Sequence, residues 1–314
     1  MNQKLSVVIP CYNAEKNIEN VIEKDIEIFE RLGIDKFEFV LVNDCSRDNT
    51  WMVLQNLSKK YTNIVCINLA KNSGQHGAIM AGFHYVSGEL IVVSDDDGQT
   101  QMEMIGQMLD KMNEGYDVVS TNWVQRGKRS LYRRFGTFLG AVINDVLMDN
   151  PKDVVVSIFF MAKRFIIDEI IRYNHSYPYI AGLVLRTTHN IGMIEVEQLP
   201  RQSGASGYSF KKLFSLWMNG FTAFSIKPLR MASYVGVFSA IIGFIYGIYI
   251  VLRKLIVNDI VSGWSSTVAI MLFMFGIILC VLGLMGEYVG RIYMCINNTP
   301  QYVIKETLGA EDKE

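Results

Sequence analysis

Short apolar runs and amphipathic stretches alternate through most of the chain, and two long uncharged apolar stretches follow them. Residues 5–9 (Leu5-Ser6-Val7-Val8-Ile9) form a strand-like run closed by Pro10, and similar runs occupy 37–42, 64–69, 90–94 and 116–120. Between them the spacing of apolar positions predicts helices over 14–32, 49–61, 75–86 and 102–113, with a further one over 166–172. Continuous apolar strands alternating with helices imply an α/β fold, a mostly parallel sheet covered by helices. Ligands of such sheets bind at the carboxyl ends of the strands. The polar residues that follow each strand are therefore the ones that carry chemistry.

Residues 231–252 and 265–286 hold no charged side chain. Each is long enough for a helix across a bilayer core, which takes about 20 residues. A soluble core helix rarely stays apolar on every face over such a length. The short connection 253–264 makes the two a hairpin with both ends on one side. Lys211, Lys212, Lys227 and Arg230 before it and Arg291 and Lys305 after it favour cytoplasmic ends, although Arg253 and Lys254 sit on the loop side. Residues 208–226 mix Phe210, Leu213, Phe214, Leu216, Trp217 and Phe221 with Lys211 and Lys212, the pattern of an amphipathic helix lying in a membrane surface. The expected organisation is an α/β domain over 1–207, a juxtamembrane helix over 208–228, a transmembrane hairpin over 229–290 and a cytoplasmic tail over 291–314. This describes a multi-pass plasma-membrane protein whose main domain faces the cytoplasm.

Charge and cysteine usage narrow the class. A formal net charge of -1 argues against nucleic acid as a partner. The five cysteines are scattered with no CxxC pair, which fits a reducing compartment and disfavours a disulfide framework or zinc site. The N-terminus enters a strand directly, without the pattern of a signal peptide.

The strand ends carry Pro10-Cys11-Tyr12-Asn13-Ala14-Glu15, then Asn43-Asp44-Cys45-Ser46-Arg47-Asp48, then Lys71-Asn72-Ser73-Gly74-Gln75, and finally Asp95-Asp96-Asp97-Gly98-Gln99. Three consecutive carboxylates repel one another unless a cation or solvent offsets them. In extended backbone alternate side chains share a face, so Asp95, Asp97 and Gln99 would point one way. Hard oxygen donors suit Mg²⁺ or Mn²⁺; a solvated turn or a helix cap is the plainer alternative. Asp44 is placed to accept hydrogen bonds from a nucleoside, with Asp48 or Asn49 the better cap for the helix that follows. Gly74 either lets backbone approach a ligand closely or serves a turn. Arg126, Lys128, Arg129, Arg133 and Arg134 precede an apolar amphipathic segment over 135–148. Arginine forks suit phosphate, so Arg126 and Arg133, with Thr137 one turn on, are candidates for an anionic lipid headgroup. A solvated basic surface is the alternative. His76, His84, His175 and His189 are isolated; His76 lies just after the third strand's loop, where contact with a ligand and a helix-start role are equally open.

The set SVVIPCYNAE, VNDCSRDNT, KNSGQHGAIMAGF and SDDDGQT resembles the family 2 glycosyltransferases of GT-A fold. The later RQSGASGY, followed by KPLR and two apolar stretches, is similar to the polyprenyl-phosphate branch, which includes dolichol-phosphate mannose synthases and bactoprenol glucosyltransferases. The resemblance implies an inverting, metal-dependent transfer of a hexose from a UDP- or GDP-sugar, UDP-glucose foremost, to polyprenyl phosphate. It implies donor contacts from Pro10, Tyr12, Asn13, Glu15, Asp44, Lys71, Gly74, Asp96 and Arg201. It implies catalytic and metal roles for Asp95 and Asp97, with Gln99 as a further ligand and Ser206 near the phosphates on the acceptor side; the charge reading adds Arg126 and Arg133 as catalytic and acceptor-binding residues, with Thr137 beside them. Two positions depart from the pattern: Asn43 stands where the first Asp of a pair is frequent, and Gly207 where a Lys is usual. Homo-oligomerisation is left open. A processive polysaccharide synthase is disfavoured by the lack of a QxxRW motif, a non-catalytic membrane partner by the intact acidic set, and a nicotinamide dehydrogenase by the lack of GxGxxG after the first strand.

Overall fold

The computed structural model describes residues 3–98, 102–124, 156–176, 178–197, 227–256, 263–297 and 300–309. In chain order they form β1 (Leu5–Cys11), α1 (Ile18–Arg31), β2 (Phe37–Asn43), α2 (Thr50–Lys60), β3 (Ile64–Leu69), α3 (Gly74–Phe83) and β4 (Leu90–Val93). After a 3₁₀ turn (Met102–Met104) come α4 (Ile105–Asn113), β5 (Val118–Val124), β6 (Phe160–Lys163), α5 (Arg164–Ile170), α6 (Ile180–Thr187) and β7 (Ile191–Glu197). The last elements are α7 (Lys227–Ile256), α8 (Trp264–Ile296) and β8 (Ile304–Leu308).

The strands assemble in the order β7-β5-β6-β4-β1-β2-β3-β8. β1 lies parallel to both β2 and β4, β2 to β3, and β5 to β7; β6 and β8 pair antiparallel with their neighbours. Every residue of β1 and β4 is buried, as continuous apolar runs in a helix-covered sheet should be. The apolar stripe of α1 (Ile18, Val21, Ile22, Ile28 and Phe29) faces the sheet, and Phe29 stacks on Phe39 with ring centroids 5.8 Å apart. α3 lies so close to the sheet that a Cβ on Gly82 would come 2.5 Å from Val8 Cγ1.

β2 and β3 grow from β1 in one direction, and the chain then returns to β1's other side to form β4. This places a topological switch between β1 and β4, where the loops beyond the two strands diverge and leave a crevice. The chain divides into two compact units, Met1–Gly207 with Asn298–Glu314, and Tyr208–Asn297.

One departure from the sequence expectation is large. The segment expected to be a free tail contains β8, which pairs antiparallel with β3 from Cys66↔Leu308 to Leu69↔Ile304. The signal is weak because β8 is a short edge strand with Lys305 and Glu306 exposed, and it has no apolar run. α8 likewise runs ten residues past the expected end of its apolar stretch, to Ile296. In the second unit, α7 and α8 leave large apolar side chains exposed on all sides, among them Phe238, Phe244, Phe273 and Leu279.

Candidate active site

The loops after β1 and β2 are woven together by backbone donors and side-chain acceptors. Asn13 N–H donates to Ser46 Oγ at 3.0 Å, and Arg47 N–H returns to Asn13 Oδ1 at 3.0 Å. Ala14 N–H donates to Thr50 Oγ1, and Glu15 Oε2 accepts from Asn49 N–H at 2.9 Å. Asn13 and Cys45 adopt φ of 55° and 54°, the left-handed region that is uncommon for residues other than glycine. Asp48 Oδ1 accepts from Thr50 N–H at 3.1 Å, so Asp48 satisfies the start of α2.

Asp44 fixes the next loop. Its Oδ1 accepts from Ser73 N–H at 2.6 Å and its Oδ2 from Gly74 N–H at 2.9 Å, so the carboxylate sits on the N-terminus of α3. Burial nevertheless holds this carboxyl above the ordinary aspartate value, with the two amide bonds opposing it. Gly74 has φ of +75°, and a Cβ there would meet nothing within 4 Å, so its glycine serves conformation and not space. Asn43 is turned inward: its Nδ2 donates to Asn68 Oδ1 at 2.8 Å, and its Oδ1 accepts from Ser46 N–H. Lys71 is exposed on the β3–α3 loop.

The acidic triplet follows β4. Asp96 Oδ2 accepts from Tyr12 N–H at 3.0 Å, a bond across the β1/β4 switch. Asp95 Oδ1 accepts from Gln75 Nε2 at 2.7 Å. Pro10, Cys11, Tyr12, Asp44, Gln75, Asp95 and Asp96 thus line one cavity of about 160 Å³. Asp95 and Asp97 also line a second cavity of about 250 Å³ on the α1 side, and Asp95 lines both. Burial, then the charges of Asp97 and Asp96, push the Asp95 carboxyl up to about 6. Burial likewise lifts Asp96 to about 6, with the Tyr12 amide opposing and Asp97 adding.

Of the expected donor residues, Pro10, Tyr12, Asp44 and Asp96 meet at the first cavity. Asn13 and Glu15 brace its loops, and Gly74 binds Asp44. Gln99, Arg126, Arg133, Thr137, Arg201 and Ser206 lie outside the described residues, as does the amphipathic segment 208–226. Gln75 is a site residue that sequence reasoning left without a role; its position directly after Gly74 at the start of α3 was the available signal. His76 is packed inside, edge-on to Tyr179 with ring centroids 5.3 Å apart, and burial drags its imidazole down to about 4. It is neutral at physiological pH, and its Nδ1 is enclosed without a hydrogen-bond partner.

Among the described residues no three His, Cys, Asp or Glu side chains form a group that could hold a metal. Mg²⁺ is commonly held by one or two carboxylates together with substrate phosphates, so Asp95 and Asp97 fit a divalent cation without a third protein acid. The raised carboxyl of Asp95 also marks a place where added positive charge would be favourable.

Comparison with known proteins shows the family. The chain is 32% identical over 98% of its length to an uncharacterized glycosyltransferase, YkcC, of Bacillus subtilis, covering 95% of it. It is also 32% identical, over 98% of its length and 95% of the relative's, to the undecaprenyl-phosphate 4-deoxy-4-formamido-L-arabinose transferase of Proteus mirabilis. A bactoprenol glucosyl transferase from Shigella flexneri is 29% identical over 97% of this chain and 98% of its own. Residues 227–292 match the GtrB C-terminal hairpin, and residues 6–171 match glycosyl transferase family 2. The chain therefore belongs to glycosyltransferase family 2.

Proposed function

We propose that this enzyme transfers a hexose from a nucleotide-sugar, UDP-glucose, to undecaprenyl or a similar polyprenyl phosphate, with inversion at the anomeric carbon. The reading is carried by the meeting of Asp95 and Asp96 with Pro10, Tyr12 and Asp44 on one cavity at the β1/β4 switch. The names of two relatives, an undecaprenyl-phosphate transferase and a bactoprenol glucosyl transferase, support a lipid-phosphate acceptor.

The nucleoside would lie against Pro10, Tyr12 and Asp44, on the loops that Asn13, Glu15 and Gly74 hold. Asp96 would take a hydroxyl of the ribose or sugar, and Lys71 and Arg201 would face the diphosphate. Asp95 and Asp97, with Gln99, would hold Mg²⁺ or Mn²⁺, which when bound supplies positive charge against the leaving diphosphate. Arg126, Arg133, Thr137 and Ser206 would orient the acceptor phosphate.

The bond from the anomeric carbon to the donor diphosphate breaks as the bond to an acceptor phosphate oxygen forms on the opposite face. A phosphate monoester is already anionic at neutral pH, so no side chain has to remove a proton. The chain's work is positioning and charge stabilisation.

The catalytic unit would stand on the cytoplasmic side of a plasma membrane that α7 and α8 cross. Their support is length and composition: the windows Ala232–Tyr249 and Phe273–Ile296 have mean hydropathy 1.6 and 1.9, and none of either is buried within the protein.

The test is a donor screen with full-length enzyme, short polyprenyl phosphate and Mn²⁺, the glycolipid product being weighed by mass spectrometry. UDP-glucose should give the hexosyl lipid, and Asp97→Ala should lower its formation by at least about a hundredfold, on the scale of losing a group that stabilises developing charge. Near-normal transfer by Asp97→Ala would sink the metal assignment, and no glycolipid from any UDP- or GDP-sugar would sink the reaction.

A further inference from the structure

The second cavity, on the α1 side of the acidic loop, contains groups the proposed reaction leaves unused. α1 presents Ile18, Val21, Ile22, Ile28 and Phe29 to the core, and Asp25 occupies a position in that same stripe. It is 5% exposed. A carboxyl in a core position is costly unless it is hydrogen-bonded. Asp25 Oδ2 nevertheless has no partner among the protein's own groups, and neither has Ser94 Oγ, the first side chain beyond β4, which is 1% exposed. Both residues line the cavity of about 250 Å³, together with Val21, Asp95, Asp97 and Gly98.

These are two enclosed polar side chains, from different elements, of residues that line one polar cavity beside the acidic loop. Buried polar groups in native proteins nearly always find a partner. The chamber is polar and exceeds the roughly 30 Å³ that one water takes in the liquid. Gly98 brings the loop close to α1: it has φ of +68°, and a Cβ there would sit 3.4 Å from Val21 Cγ2. Lys16, Asn17, Asn20 and Lys24 rim the mouth.

We propose that Asp25 is a positioning residue for the catalytic acids: with Ser94 it binds enclosed water in this chamber, and that water holds loop 94–98 in the conformation that presents Asp95 and Asp97. The inference rests on the reading of Asp95 and Asp97 as donor-side acids. It assigns the chamber to solvent that belongs to the fold, and it makes α1 the rear support of the site. A carboxyl that is merely tolerated in the core would behave differently: its replacement by an apolar residue would relieve an unpaired polar group and leave the loop undisturbed.

The experiment compares the full-length enzyme with Asp25→Leu, Asp25→Asn and Ser94→Ala. It measures hydrogen–deuterium exchange of peptides covering 94–98, UDP–Mn²⁺ binding by calorimetry, and transfer kinetics. Asp25→Leu should keep the melting temperature of the parent or raise it, speed exchange in loop 94–98, and weaken UDP–Mn²⁺ binding about tenfold, the scale of losing a supporting hydrogen bond behind metal ligands. The transfer KM for donor should rise by a similar factor. Asp25→Asn, which retains a hydrogen-bonding amide of the same size, should restore binding to within about twofold on the same scale. Ser94→Ala should loosen the loop in the same sense, which keeps the idea exposed to refutation if Asp25→Leu fails to fold. Unchanged loop exchange in folded Asp25→Leu or in Ser94→Ala overturns the proposal, as does an Asp25→Asn variant as impaired as Asp25→Leu. A parent enzyme that binds no UDP–Mn²⁺ overturns instead the functional reading beneath it, and loop exchange then decides the role of the chamber independently of that reading.

Discussion

Asp44 joins the start of a helix to the wall of a cavity. Its two oxygens accept from Ser73 and Gly74 N–H groups at 2.6 and 2.9 Å, while the residue also lines the cavity at the β1/β4 switch. A carboxylate has about four lone-pair sites, so capacity for a nucleoside remains. Asp44→Ala should remove the anchor of α3 and cost about 1–2 kcal/mol of stability, the range for a lost helix cap. It should also raise the donor KM, because Gln75, which holds Asp95, stands on the same helix start. Asp44→Asn should fall between the two, since it retains one acceptor. Thermal melts and donor titrations check this, and an unchanged KM in a destabilised Asp44→Ala would confine Asp44 to structure. At this scale the sequence was partly readable. Asp95, Asp96 and Asp97 announce themselves because they are consecutive. Gln75 and Asp25 do not, because each acquires its role from a residue 20 or more positions away that only the folded crossing of strands brings near. Asp25 did leave a trace, an acid in the apolar stripe of an otherwise regular amphipathic helix.

At the scale of elements, burial explains what could be foreseen. β1 to β4 are legible because a strand covered on both faces must be apolar throughout. β8 is not, because an edge strand is specified by its partner's hydrogen bonds more than by its own side chains. Its place has consequences for the site. Ala70 N–H donates to Val303 O at 2.7 Å, just where β3 gives way to the donor loop, and Gln301 Nε2 donates to the backbone oxygens of Tyr173 and His175. The segment 300–308 therefore closes the exposed edge of β3 and ties the donor loop to the region before α6. Truncation after Asn297 should uncover that edge, promote edge-to-edge association and lower donor affinity. Size-exclusion chromatography in detergent and UDP–Mn²⁺ calorimetry check it; a truncated enzyme that stays monodisperse and binds like the parent would reduce β8 to an ornament of the sheet.

At the scale of the molecule, the two units obey opposite rules of burial. In the first, apolar residues from β1 to β7 vanish into one core; in the second, Phe244 is 72% exposed and Phe273 69% exposed. Scattered exposed apolar residues need no explanation, but two helices of 30 and 33 residues lined with them do. At about 1.5 Å per residue each helix is some 45–50 Å long, enough to cross a hydrocarbon core of about 30 Å and emerge on both sides. The chain leaves the first unit before α7 and rejoins it after α8 to form β8. Both ends of the hairpin are thus joined through the chain to the sheet-bearing unit, and the basic residues that flank it agree with the cytoplasmic placement proposed above. Accordingly the protein should remain in the pellet after an alkaline carbonate wash of membranes. Protease added to right-side-out cells should leave residues before α7 and after α8 intact, and protease added to inverted vesicles should digest them. Release by carbonate would turn α7 and α8 into a docking hairpin for another protein. Cleavage of the sheet-bearing unit from outside would remove nucleotide-sugar, a cytoplasmic metabolite, from its reach and would undo the proposed reaction along with the topology.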